Sequence, residues 1–176
     1  RFIPDDVRRA ILLNDEALEA ELLRMTDAFT DELFALPGAT RIVHPVSRLV
    51  VDPERFPEDH SEPMAARGMG AVYTLTSEGR PLRPEPSAEE RASLFGRFYA
   101  PHHDALEGAV DTELHARGNA LIIDGHSFPS RPIPCDLNQS EPRPEICLGT
   151  DANHTPGPLL AAAFAAFAST GWRVEV

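Results

Sequence analysis

The chain has 176 residues, enough to bury one substantial core and ordinary for a single domain. Its 16 basic residues, every one an arginine, stand against 28 acidic ones, and the net charge of −12 repels nucleic-acid phosphate and anionic membrane at long range, which argues against both as partners. A small anionic substrate is not excluded, because a few arginines in one cleft reverse the local potential.

Pro4-Asp5-Asp6 opens a first helix, with proline at its start and acids in its first turn. Asn14 is placed to cap a second, which carries Leu18, Leu22, Met25, Phe29 and Leu33 at three- and four-residue spacing until Leu36-Pro37-Gly38 stops it. Residues 41–43, 48–51 and 71–75 read as strands, the last ended by Ser77-Glu78-Gly79, with a polar loop over 53–70. Ser87-Ala88-Glu89-Glu90 is a capping box that starts a helix to about Tyr99; Pro101 kinks or restarts it, and the pattern resumes to Arg117-Gly118. The apolar run Leu121-Ile122-Ile123 reads as a buried strand over 120–124. Residues 127–144 hold five prolines, too many for regular structure, and read as a long loop able to act as a lid. Pro158 starts an alanine- and phenylalanine-rich helix that ends at Gly171, before an alternating terminal strand. Helices alternating with strands predict an α/β fold in layers around a central sheet. No stretch approaches the roughly 20 apolar residues that span a bilayer, and no signal peptide is recognisable. With Cys135 and Cys147 expected as a reduced pair, the expectation is a cytoplasmic protein.

Chemistry concentrates at Asp124-Gly125-His126-Ser127, directly behind the run 121–123. An imidazole beside a carboxylate at a strand end suits a metal site or acid-base work, and equally a loop hydrogen bond. Asp27 and Asp31, four apart, share a face if helical; their repulsion asks for a cation, an arginine, or only a cap and solvent. On a strand, Arg48, Val50 and Asp52 line one face, with Arg48 and Asp52 about 13 Å apart at roughly 3.3 Å per residue, too far to neutralise each other. Arg48 then needs a forked carboxylate partner, or it lies on a solvated edge. His102 and His103 are neighbours at a helix restart and point about 100° apart, so they do not readily share one metal.

Taken together, Arg1-Phe2-Ile3-Pro4, Thr26-Asp27-Ala28-Phe29-Thr30-Asp31-Glu32-Leu33, Ser47-Arg48 through Asp52 to Arg55, Tyr99 to Leu106 with His103, Asp124-Gly125-His126-Ser127 and Leu148-Gly149-Thr150 resemble the N-formylglutamate amidohydrolase family, in the family's order along nearly the whole chain. The resemblance implies a fold similar to the zinc-dependent exopeptidases: a three-layer α/β/α sandwich around a mixed, mostly parallel central sheet. It implies zinc-dependent hydrolysis of the formyl amide of N-formyl-L-glutamate to glutamate and formate. His126 and Asp27, with Asp31 as rival, would be metal ligands. Arg48, His103 and Asp124 would be catalytic, and Arg48, Arg55, Asp52 and Ser127 would bind the substrate. The partner expected is a small anionic N-acyl amino acid, and the state a monomer or small homo-oligomer. Two alternatives stand beside this reading: a related zinc acylase acting on another N-acyl amino acid or dipeptide, and an inactive member that binds an acidic metabolite.

The resemblance also marks departures. Glu54 stands where many relatives have asparagine. Residues 1–176 read as a single amidohydrolase-like domain that lacks the family's Pro-His-Ser/Ala-Gly segment before Arg1, and its glycine-rich segment and late glutamate after Val176. The 176 residues alone are therefore expected to be a poor enzyme holding little metal.

Overall fold

The computed structural model describes residues 2–176, which form two compact units, the first ending at Phe128 and the second spanning Pro129–Val176. Helix α1 (Asp5–Arg8) follows Pro4, and α2 (Asp15–Arg24) is capped by Asn14, whose side chain accepts from the Ala17 amide at 2.9 Å. Both starts lie where the cap residues place them. Helix α2 stops at Arg24, short of the expected end. Asp27 lies in a turn, Phe29 takes a left-handed conformation with φ 66°, and a separate turn of helix, α3 (Thr30–Leu33), follows. Asp27 and Asp31 therefore do not share a helix face.

Ser87 caps α4 (Ala88–Leu94) through the reciprocal box with Glu90, as expected. The helix does not break at Pro101. A π-helical turn, Phe95–Tyr99, passes directly into α5 (Ala100–Arg117), which Gly118 ends at φ 74°. Proline at the start of α5 has no N–H to donate and crowds the carbonyl four residues back; a wider turn just before it accommodates both faults. Val7, Val46, Val50, Val51, Val72 and Leu94 form the core of this unit, with Ile3, Phe95, Phe98 and Tyr99 packed against it.

The three-layer sandwich is not observed. The described residues are mostly helix and coil, and the one sheet among them pairs β1 (Ile146–Cys147) with β2 (Val174–Glu175) in parallel, both in the second unit. The reason lies at the ends of the expected strands. Residues 48–50 form a turn: the Val50 amide donates to the Ser47 carbonyl at 2.8 Å, the Leu49 amide to Ser47 Oγ at 3.2 Å, and the Glu54 amide to Asp52 Oδ1 at 3.1 Å. Serine and aspartate side chains have here supplied the bonds a neighbouring strand would have made. At Gly68, φ is 67° and the carbonyl accepts from both Thr74 and Leu75, so 71–75 curls instead of extending; a bridge from Leu75 to Pro81 is all the ladder it forms. Valines 50 and 51 are fully buried nonetheless. Residues 41–43 are likewise not a strand; the run at 121–123 has no ladder among the described residues, and its side chains are 57–63% exposed instead of buried.

In the second unit, α6 (Gly157–Ala168) begins beside Pro158 and precedes β2, close to expectation. Residues 129–145 are irregular, and Cys135 and Cys147 are both free thiols, the first buried. No helix among the described residues is long and apolar enough to cross a membrane.

Candidate metal and hydrolytic centre

The turn that replaces the strand at 48–51 builds the site. Because the chain folds back, Arg48 Nη1 lies 3.8 Å from Asp52 Oδ2, and the 13 Å separation expected of a strand is not found. Arg48 is held by three acids: its Nη2 donates to Asp27 and to Glu54 at 3.3 Å, while Asp52 lies behind it. Burial works against its charge, but Asp52, Glu54 and Asp27 more than compensate, and its pKa rises further. Asp52 is fully buried. It accepts from the Tyr73 hydroxyl at 2.6 Å and the Glu54 amide, and Arg55 Nε lies 3.6 Å away. Arg55 also faces Glu62, 3.8 Å away. Arg48 and Arg55 thus form a buried charge network in which every arginine faces at least two carboxylates, and it fixes where Glu54 points.

His126 faces this network. Its Nδ1 lies 3.5 Å from Asp27 Oδ1 and 3.8 Å from Glu54 Oε1, and its Nε2 lies 3.2 Å from Asp124 Oδ2. Asp124 first and Asp27 second push the imidazole up to about 10, against the opposing effect of burial. For Asp27 burial is the largest influence and raises its pKa, but the His126 hydrogen bond and the Arg48 charge outweigh it, so the carboxyl stays below the ordinary range. Glu54 moves the other way, raised by burial and by its acidic neighbours. The Ser127 amide donates to Asp27 Oδ1 at 3.2 Å. The backbone of Gly125 runs close under Phe34: a Cβ there would sit 2.6 Å from the ring, which would have to shift.

Asp27, Glu54 and His126 each offer one ligand atom, and the three atoms lie within 4.8 Å of one another. Two carboxylates and an imidazole make the oxygen-and-nitrogen donor set that suits zinc at a catalytic site, with a position left open for water. Asp124 on the far ring nitrogen supplies the outer carboxylate that commonly orients a ligating histidine. By the chemistry and closeness of its donors, the group fits a divalent ion.

The family description N-formylglutamate amidohydrolase matches residues 1–176, the whole chain. The chain belongs to this family. No curated protein and no solved structure matches it. For an N-formylglutamate amidohydrolase family member, the positions that carry the resemblance fall unequally. Asp27, Arg48, Asp52, Arg55, Asp124, His126 and Ser127 are brought together. His103 joins them from α5: its Nε2 lies 3.0 Å from the Pro53 carbonyl, beside Glu54, and its ring packs on Tyr99 at 4.5 Å. Asp31 is not in the group. It is exposed on α3, and its main-chain carbonyl accepts from Arg41. Glu54 is the site residue that sequence reasoning passed over. The signal available was its place two residues past Asp52, where an acid-capped turn carries the chain back over Arg48.

Proposed function

We propose that this protein hydrolyses the formyl amide of N-formyl-L-glutamate, releasing glutamate and formate, at a zinc site built on Asp27, Glu54 and His126. The observation that carries this reading is the convergence of those three donors on one another, with Arg48 paired to the two carboxylates, in a chain of this family. Bound there, zinc polarises the amide carbonyl and brings the pKa of a water toward about 7. The protein's own residues do the rest. Asp124 accepts the Nε2 proton of His126 and so leaves Nδ1 for the ion. Arg48 fixes the carboxylates of Asp27 and Glu54 and provides the nearest fixed positive charge to the oxyanion that develops at the formyl carbon. His103, its Nε2 proton given to the Pro53 carbonyl, presents Nδ1 as the proton acceptor.

The test uses the full-length gene product. Wild type should carry about one zinc per chain, as expected of a single site, and release formate from N-formyl-L-glutamate. Glu54→Gln and His126→Ala should each lose stoichiometric zinc while the protein stays folded by circular dichroism. Full zinc retention in both variants would remove these residues from the site, and a zinc-loaded wild type inert toward N-formyl amino acids would overturn the activity.

A further inference from the structure

A cavity of about 300 Å³ lies in the first unit between the segment 41–45 and the start of α5. Its apolar lining includes Ile42, Val43, Phe98 and Pro101, and its polar groups are Arg41, Arg97 and His102. At the lower end of ligand-pocket sizes, roughly 300–1,000 Å³, it suits a small metabolite rather than a peptide.

The two arginines are not equivalent. Arg97 is committed to Asp6, with N···O distances of 2.6 and 3.3 Å. Arg41 donates only to the main-chain carbonyl of Asp31, at 2.8 Å, and no carboxylate stands within ion-pair distance of it among the described residues. In a chain of net charge −12, Arg41 thus stands beside an apolar cavity without an acid partner. Such a fork is matched by a carboxylate from outside.

One wall residue links the cavity to the hydrolytic centre. His102 packs edge-on against His103 at 5.6 Å, and His103 Nε2 lies 3.0 Å from the Pro53 carbonyl, beside Glu54. A molecule whose amide lies at the centre would therefore extend its remaining chain past His102 toward Arg41.

We propose that this cavity is the subsite for the part of the substrate beyond the scissile amide, and that Arg41 is the cation that selects a carboxylate-bearing side chain there. This rests on the amidohydrolase reading above. In that reading Arg48 and Arg55, each facing several acids, hold the site together, and recognition of the substrate side chain falls to Arg41.

The experiment compares Arg41→Gln with wild type, in the full-length product, on N-formyl-L-glutamate and N-formyl-L-glutamine. Loss of a charge-assisted hydrogen bond should raise KM for the glutamate substrate by about tenfold or more, leave kcat within about twofold, and leave the glutamine substrate almost unaffected. Arg41→Lys should recover part of the loss. Equal effects on both substrates, or none, would overturn the proposal. Should wild type hydrolyse neither substrate, the amidohydrolase reading fails by itself, and calorimetric titration with glutarate decides the cavity separately: binding to wild type that Arg41→Gln abolishes supports the subsite, and binding unchanged by the substitution, or absent from wild type, refutes it.

Discussion

His126 is caught between two needs. Asp124 and Asp27 hold its imidazole protonated, pushed up to about 10, whereas a metal ligand must be deprotonated, so loading the ion displaces a proton and tightens as pH rises. The consequence for the metal-free protein has a definite sign. Between an unfolded value near 6.5 and the folded value of about 10, the folded state binds more protons than the unfolded one. The stabilisation from these pairs is therefore complete below about pH 6.5 and disappears as pH climbs through about 10. With 40% of the side chain exposed, solvent screens much of it, so the effect is modest. In EDTA, the Tm of wild type should exceed that of His126→Gln most near pH 6, and the two should converge by pH 10. A gap that widens with pH would mean that the imidazole is neutral in the fold.

The elements divide by whether their signals were local. Helix starts at Asn14, Ser87 and Pro158 were legible because a cap acts on amides within one turn, and the same holds for Gly118 at the end of α5. The strands were not. A β-branched run reports that its side chains want burial, which Val50 and Val51 achieve; it does not report that a partner strand exists. Ser47 and Asp52, flanking that run, carried the overlooked message, since each satisfies a neighbouring amide and bends the chain. The site followed the same division. His126 and its acid Asp124 were visible two positions apart in the sequence, and Asp27 and Arg48 through the resemblance. The pairing of Arg48 with Asp52, and the arrival of Glu54, depended on a turn that strand periodicity had ruled out.

For the whole molecule, the difference between a layered sheet and this arrangement is measurable. Leu49 is fully buried and Ile122 is 58% exposed. Leu49→Ala should cost about 2–5 kcal/mol in denaturant unfolding, whereas Ile122→Asp should stay within about 0.5 kcal/mol of wild type. A loss at Ile122 comparable to that at Leu49 would place residues 120–124 inside a sheet after all. What moors that segment instead is chiefly Asp27, beside Glu54 and the ring of Phe34. Asp27 meets Arg48, His126 and the Ser127 amide, so an acid early in the chain helps close the long excursion that ends the first unit. Held by charge and one amide rather than by a ladder, the tip should open on its own, well below the free energy of global unfolding. Hydrogen exchange reads this directly. In Asp27→Ala the Ser127 amide should exchange at least about tenfold faster, the loss expected for one charged hydrogen bond, while the Asp52 amide, bonded to the Ala71 carbonyl in the core, keeps its wild-type rate; equal acceleration at both would show that the tip opens only when the whole unit does.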